Sequence, residues 1–161
     1  MKTKEFFYLC GPTVYNKVHI GNMRPIVTFD LMLRGIKYLN PNIKLIHNIT
    51  DIDDKIINRA KEENISEEEI AQKYTQFYLD MLKAYNVETI DYLPKVSEKI
   101  PFIESFINKL NKKNYVYESN GSYYFKTDKL DTYGEVSNNT LSNLQSEESN
   151  LEKENSCDFA L

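Results

Sequence analysis

An α/β fold of the dinucleotide-binding type is what this sequence predicts, and three observations carry the prediction. A short apolar run near the N-terminus stops at Gly11-Pro12, a stripe of apolar residues at helical spacing follows, and a second apolar run comes after Asn40-Pro41. Strand, helix and strand within about 50 residues make a βαβ unit, whose strands are parallel and joined by a right-handed crossover.

The first element is Phe6-Phe7-Tyr8-Leu9-Cys10, read as a buried strand with a turn at Gly11-Pro12. Asn22 is the expected cap of a helix whose positions Ile26, Phe29, Leu33 and Ile36 share one face, ending before Asn40-Pro41. Residues 44–49 form the second strand. Residues 51–63 read as a helix, charged on one side, with Ile52, Ile56 and Ile57 on the other. Ser66 with Glu69 is a capping box, and Ile70, Tyr74, Phe77, Met81 and Tyr85 make the apolar stripe behind it. A further helix opens near Ser97 and is expected to bury Ile100, Ile103, Phe106, Ile107 and Leu110. After Asn114 the pattern changes to Tyr115-Val116-Tyr117-Glu118, then Ser119-Asn120-Gly121, then Ser122-Tyr123-Tyr124-Phe125. This is a β-hairpin signal, because Asn-Gly supplies the positive φ angles of a tight turn. Residues 137–156, rich in Ser, Asn and Glu, read as a loop or linker, and Asp158-Phe159-Ala160-Leu161 turns apolar again.

Composition narrows the function classes. With 161 residues, 41% hydrophobic and 27% charged, the chain lies in the globular range and is long enough for a core without disulfides. Two cysteines, Cys10 and Cys157, are too few for a disulfide framework, which favours a reduced, cytoplasmic setting. No apolar run approaches the roughly 20 residues of a membrane span, so a soluble chain with no membrane partner is expected. Charge is unevenly placed. Residues 1–61 carry ten Lys or Arg against five Asp or Glu, and residues 62–161 carry ten against nineteen. A polyanion would therefore meet the first third, unless the gradient is only a solvated surface.

The segment Gly11-Pro12-Thr13-Val14-Tyr15-Asn16-Lys17-Val18-His19-Ile20-Gly21-Asn22 joins the first strand to the first helix, where a doubly wound sheet binds its ligands. Free backbone N–H groups and the helix dipole favour a phosphate there. His19 can donate to a phosphoryl oxygen, Gly21 lets a nucleotide approach the backbone, and Asn22 offers an amide donor. Such a group stabilises charge that builds on the α-phosphate of ATP under attack by a carboxylate. A loop histidine without a ligand would have the same tripeptide.

This segment resembles the cysteinyl-tRNA synthetases, a class I aminoacyl-tRNA synthetase family. The resemblance rests on Cys10-Gly11-Pro12-Thr13-Val14-Tyr15-Asn16, on His19-Ile20-Gly21-Asn22 with Arg24, on Phe29-Asp30, and on Asn48-Ile49-Thr50-Asp51-Ile52-Asp53-Asp54-Lys55-Ile56-Ile57. It runs more weakly through Tyr133-Gly134 and Asp158-Phe159. The implied fold is the first half of a Rossmann-like nucleotide-binding domain, a parallel sheet with helical segments and a small β-hairpin-containing insertion. The implied boundaries are 1–95 for the N-terminal half of the catalytic domain, 96–156 for the start of a connective insertion, and 157–161 for a truncated return toward the catalytic domain.

The resemblance also implies roles. His19 and Asn22 would be catalytic; Thr13, Tyr15, His19, Gly21 and Asn22 would bind ATP with its magnesium; Gly11 and Thr50 would bind the amino acid. Cys10 would be one of four zinc ligands, the others lying further along the family's chains, and zinc would select the thiolate of L-cysteine against the hydroxyl of serine. The implied partners are ATP, L-cysteine and tRNA(Cys), for an enzyme that is monomeric at full length. His47 is read as structural, Cys157 as unligated, and Asp51, Asp53 and Asp54 as helix-start and network residues.

Two departures accompany the likeness. Asn22 stands where the family usually has a second histidine, an exchange that keeps a donor. The later zinc ligands, the Lys-Met-Ser-Lys-Ser loop and an anticodon-binding region have no counterpart in these residues, so the 161-residue chain alone is expected to be inactive. Three other readings stay open: the cysteine ligase of mycothiol synthesis, a small nucleotidylyltransferase, whose late Ser/Thr-rich helix start has no equivalent after residue 126, and a non-catalytic half-domain that binds nucleotide, tRNA or a partner chain.

Overall fold

The computed structural model describes residues 5–136 and 153–161, so most of the loop expected at 137–156 lies outside the described residues. The chain divides into two compact units, Met1–Ile100 and Pro101–Leu161.

The first unit is built on a parallel sheet of β1 (Glu5–Leu9), β2 (Ile43–His47) and β3 (Ile90–Tyr92), in that spatial order. β1 and β2 pair from Glu5 opposite Ile43 to Leu9 opposite His47, and α1 (Ile20–Leu39) makes the crossover between them. β2 is central, and its alternation buries Ile43, Leu45 and His47. β1 is an edge strand. Phe6 and Tyr8 are 55% and 62% exposed, so this apolar run is not the buried strand its composition predicts; among the described residues, β2 is its only neighbour in the sheet. β3 escapes sequence reading because three residues are too few to show a period.

Helix α1 starts earlier than expected. His19, not Asn22, is its N-cap, and Asn22 is the third helical residue. The two close a capping box: Gly21 N–H donates to His19 Nδ1 at 3.0 Å, and His19 N–H donates to Asn22 Oδ1 at 3.1 Å. Met23, Ile26 and Leu33 face the core. Asp30, 5% exposed, lies on the same face and accepts from Arg34 Nε at 2.7 Å and from the backbone N–H groups of Glu88 and Thr89 at 2.8 Å each. Burial pushes this carboxyl up, but these donors outweigh it and hold it below its ordinary range. Asp30 thus ties the approach to β3 onto α1. Asp91 in β3 does similar work against β2. It accepts from Lys37 Nζ, from Lys44 Nζ at 2.8 Å and from Leu45 N–H at 2.8 Å, where the β2–β3 register shifts. Its burial would raise the pKa, yet the two ammonium groups and the amide lower it to about 2.

Helix α2 (Asp54–Glu63) is capped by Asp53, whose side chain accepts from Lys55 N–H, and Asn64 ends it at φ 53°. Helix α3 (Glu67–Ala84) opens with the expected Ser66 and Glu69 capping box. Its buried line is Ile70, Tyr74, Tyr78 and Leu82, a strict four-residue row. Of the stripe expected there, Phe77 and Met81 are half-buried and Tyr85 is 43% exposed. The Tyr78 hydroxyl, inside the core, donates to His47 Nε2 at 2.6 Å. A 3-10 turn, Ser97–Lys99, precedes α4 (Ile100–Lys112).

The second unit holds the expected hairpin, β4 (Val116–Ser119) and β5 (Ser122–Phe125), turned at Asn120 (φ 50°) and Gly121 (φ 84°), with β6 (Phe159–Ala160) antiparallel to β5. Rings stack along it, Tyr115 on Phe125 at 6.0 Å and Phe125 on Phe159 at 5.3 Å. Buried Asp158 accepts from Thr127 N–H and Oγ1, both at 2.9 Å. Helix α4 does not bury the face predicted for it: Ile100, Ile103, Ile107 and Leu110 are half-covered, and Phe106 is exposed. A unit of about 60 residues has little interior with which to cover a helix face. Among the described residues, no helix is long and apolar enough to cross a membrane.

His47 yields a pH test of the fold. It is 2% exposed, Nδ1–H donates to Leu9 O at 2.9 Å, and Nε2 accepts from Tyr78, so the ring is neutral. Burial, opposed only by the Leu9 bond, puts its pKa below the ordinary 6.5. The unfolded chain therefore takes up a proton here before the folded chain does, and stability is lost as pH falls below about 6.5. Urea unfolding from about pH 7 to about pH 5 is expected to show a downward slope of at most about 1.4 kcal/mol per pH unit from this group. His47→Gln is expected to remove it, and an unchanged slope in that variant would assign the dependence to another residue.

Candidate functional site

The loop from Cys10 to Lys17 lies along the C-terminal end of β2. Thr50 N–H donates to Pro12 O and Val14 N–H to Thr50 O, both at 3.1 Å, so residues 12–14 continue the parallel pairing beyond the sheet. Asn48 holds the start of this loop: Gly11 N–H donates to Asn48 Oδ1 at 2.8 Å, and the Tyr8 hydroxyl donates to the same oxygen at 2.9 Å. Approach is so close that a β-carbon on residue 11 would lie 1.6 Å from the Asn48 carbonyl oxygen. Only glycine fits there without moving backbone.

Between this loop and the start of α1 is a cleft of about 380 Å³ lined by Gly11, Pro12, Thr13, Tyr15, Asn16, Lys17, Val18, His19, Asn22 and Lys55. It brings together five of the predicted site residues: Gly11, Thr13, Tyr15, His19 and Asn22. Cys10 and Thr50 flank the lining, Cys10 as an exposed thiol before Gly11 and Thr50 through its pairing with residues 12–14. Gly21 lies in the first turn of α1, and its N–H is already bonded to His19. The expected free amides are thus partly satisfied by the cap, and side chains supply donors in their place. Because His19 Nδ1 accepts, the proton of the neutral ring is on Nε2; because Asn22 Oδ1 accepts, its NH2 group is left as the donor.

Two lysines that the motif reading gave no role line the same cleft. Lys55, in the first turn of α2, places Nζ 5.7 Å from the centre of the Tyr15 ring, and Lys17 places Nζ 5.7 Å from that of Phe77. The signal for Lys55 was its place in the run from Asn48 to Ile57. Two ammonium groups beside two neutral donors suit an anionic ligand. Two other clefts, of about 330 Å³ and about 850 Å³, are bordered by Glu67 and Glu68, joined by Asp51 in the first and Glu69 in the second, and their carboxylates repel a polyanion.

The three aspartates following Thr50 have separate structural partners. Asp51 accepts from Ser97 N–H at 2.9 Å, Asp53 caps α2, and Asp54 begins it. Among the described residues, no three of His, Cys, Asp and Glu converge on a point where a metal ion could sit. His47 has both ring nitrogens engaged, which leaves Cys10, next to Gly11 of the cleft lining, as the exposed soft donor. One thiol does not make a zinc site, so these residues do not hold the ion by themselves.

The two glycines separate folding from ligand binding. Gly11→Ala forces the backbone away from Asn48 and is expected to cost about 3 kcal/mol. In Gly21→Ala the new carbon meets only the His19 ring, at 2.7 Å from Cε1, and helix propensity partly offsets the contact. Its stability is expected to stay within about 1 kcal/mol of wild type while affinity of the cleft for an anion falls, because the His19 ring is displaced. Thermal unfolding and pyrophosphate titration of both variants check this; equal melting points would contradict the placement of Gly11 against Asn48.

The sequence matches the family described as tRNA synthetases class I (C) catalytic domain over residues 2–161. Similar proteins include the cysteine–tRNA ligases of Malacoplasma penetrans (49% identical over 158 residues, 96% of this chain and 36% of that protein), Methanococcus vannielii (46% over 157, 96% and 33%) and Brevibacillus brevis (43% over 161, 98% and 34%). The chain therefore spans about a third of the length of these relatives. With the parallel sheet and the cleft at its C-terminal end, a match from residue 2 to residue 161 makes this chain a member of the class I (C) tRNA synthetase catalytic domain family.

Proposed function

We propose that this chain is the N-terminal part of the catalytic region of a cysteine–tRNA ligase, in the nucleotide-binding half of a Rossmann-like domain followed from residue 96 by a connective insertion. The observation that carries the proposal is the cleft lined by His19 and Asn22, whose capping bonds leave Nε2–H and the amide NH2 as their donors, together with Lys17 and Lys55. ATP, accompanied by magnesium, would place its phosphates there. Thr13 and Tyr15 line the nucleotide side, and Gly21 allows close approach.

In the first step a carboxylate oxygen of L-cysteine attacks the α-phosphorus of ATP. The bond to the bridging oxygen breaks, pyrophosphate leaves, and cysteinyl-adenylate remains. Negative charge gathers on the non-bridging α-oxygens, and two donors pre-aimed by the helix cap stabilise it without reorganising. In the second step a ribose hydroxyl of the terminal adenosine of tRNA(Cys) attacks the acyl carbon and AMP departs. Gly11 and Thr50 border the amino acid. Cys10 would supply one thiolate to a zinc ion completed by residues beyond this chain, and zinc would supply a soft contact for the substrate sulfur. The enzyme would work as a monomer in the cytoplasm.

Cysteine-dependent exchange of pyrophosphate into ATP, measured on the whole zinc-loaded ligase carrying this segment, tests the reading. His19→Ala is expected to reduce the exchange rate on the order of 100-fold, the usual effect of removing one pre-aimed donor, and to lower stability by about 1 kcal/mol because the N-cap bond to Gly21 goes with it. The 161-residue chain alone is expected to give no exchange and to lose zinc on dialysis. Absence of cysteine-dependent exchange in the whole protein would overturn the assignment.

A further inference from the structure

The side chain of Asn48 is bonded at both ends, and its orientation follows from chemistry. The backbone N–H of Gly11 can only donate, so the atom facing it at 2.8 Å must be the amide oxygen. The NH2 group therefore faces the other way and donates to Thr50 Oγ1 at 3.1 Å. Thr50 accepts in this bond, which leaves the hydroxyl hydrogen for a second partner; among the described residues Thr50 Oγ1 makes no other hydrogen bond. The same Asn48 oxygen also receives the Tyr8 hydroxyl at 2.9 Å. One amide thus clamps Gly11 and Tyr8, on either side of Cys10, and sets the donor direction of Thr50.

We infer that Asn48 is a positioning residue that commits the Thr50 hydroxyl to donate to the carboxylate of the amino-acid substrate, while keeping the Cys10 segment in register with it. The inference rests on the amino-acid role proposed for Thr50. Its physical content is a reading of polarity. A threonine hydroxyl can donate one hydrogen and accept at two lone pairs, and a neighbour that donates to it occupies one of those pairs and frees the hydrogen for a ligand that accepts. The oxygens of a free carboxylate and the carbonyl oxygen of the acyl adenylate can each take that hydrogen, whereas an ammonium or amine in the same place would leave it unused and compete for the one lone pair that Asn48 does not occupy. Asn48 is half-buried between the loop and the strand, where replacing its NH2 by an acceptor would turn the Thr50 hydrogen inward.

The Asn48→Asp exchange tests this with little change of shape. Its carboxylate still accepts from Gly11 and Tyr8 but offers Thr50 an acceptor. In the whole ligase, pyrophosphate exchange is expected to show a KM for L-cysteine raised roughly tenfold or more, with the KM for ATP within about twofold. Simple repulsion by the new charge is separated by the Thr50→Val background, in which Asn48→Asp is expected to add less than about twofold. A further tenfold rise there, or an unchanged KM in Asn48→Asp, overturns the inference. The clamp is read without activity from hydrogen exchange of the Gly11 amide in the 161-residue chain: protected in wild type and Asn48→Asp, unprotected in Asn48→Ala. Protection in Asn48→Ala also overturns it. Failure of the whole ligase to show any cysteine-dependent exchange would count against the function reading, and the Gly11 amide would still decide the clamp.

Discussion

Residue 11 is held against the end of β2 with no room for a side chain, and the cleft depends on that approach. A β-carbon there would lie 1.6 Å from the Asn48 carbonyl oxygen, so the loop can follow β2 closely only because position 11 is glycine. From this contact come the bond from Gly11 N–H to Asn48, the pairing of residues 12–14 with Thr50, and the cleft wall made by Gly11, Pro12, Thr13 and Tyr15. The two neighbouring residues at the end of β2 divide the work. His47 points into the core and binds the Leu9 carbonyl; Asn48 points the other way and binds the Gly11 amide. Cys10 lies between two backbone groups that are both fixed by β2.

Three polar groups in or at the edge of the core hold the first unit in one register through partners distant in sequence. Tyr78 on α3 reaches His47 on β2, Asp30 on α1 reaches the amides before β3, and Asp91 on β3 reaches Lys37, Lys44 and Leu45. Apolar packing alone tolerates a small slide of helix over sheet; a buried carboxylate or imidazole does not, because losing its partner leaves an uncompensated polar group. The ends of the strands, and so the cleft, inherit their positions from these bonds.

Much of this was legible in the sequence because it is periodic or local. The βαβ unit, the Ser66 and Glu69 box and the Asn-Gly hairpin each have a pattern within a few residues, and each is where the pattern predicts. Errors arose where the answer depends on neighbours that the pattern does not contain. Phe6 and Tyr8 have the composition of a buried strand, but sheet order makes β1 an edge. The face of α4 has the right spacing and a unit too small to cover it. At α1, a histidine is an uncommon N-cap, so the sequence points to the better capping residue three positions later, although that residue closes the same box from the other side. Lys55 and Asn48 lay in plain view within a recognised run, but which atom of Asn48 faces which partner becomes apparent only when Gly11 and Thr50 are brought to it by the fold.

The helix cap also bears on the exchange of histidine for asparagine at position 22. A capping box needs a side-chain acceptor at the third helical position for the N-cap amide, and the oxygen of an amide meets that need while its nitrogen remains a donor. A neutral imidazole can accept on one nitrogen and donate from the other as well, so the two residue types are equivalent in polarity and differ mainly in reach. At His19 the same logic applies with the ring: Nδ1 serves the helix, Nε2 is the ring's remaining donor, and the residue lines the cleft. Under the proposed function, local folding and charge stabilisation would rest on opposite ends of the same two side chains. A substitution that damages the cap will rotate the donors, and one that removes the donors need not damage the helix, so the two functions of this turn separate by atom and not by residue.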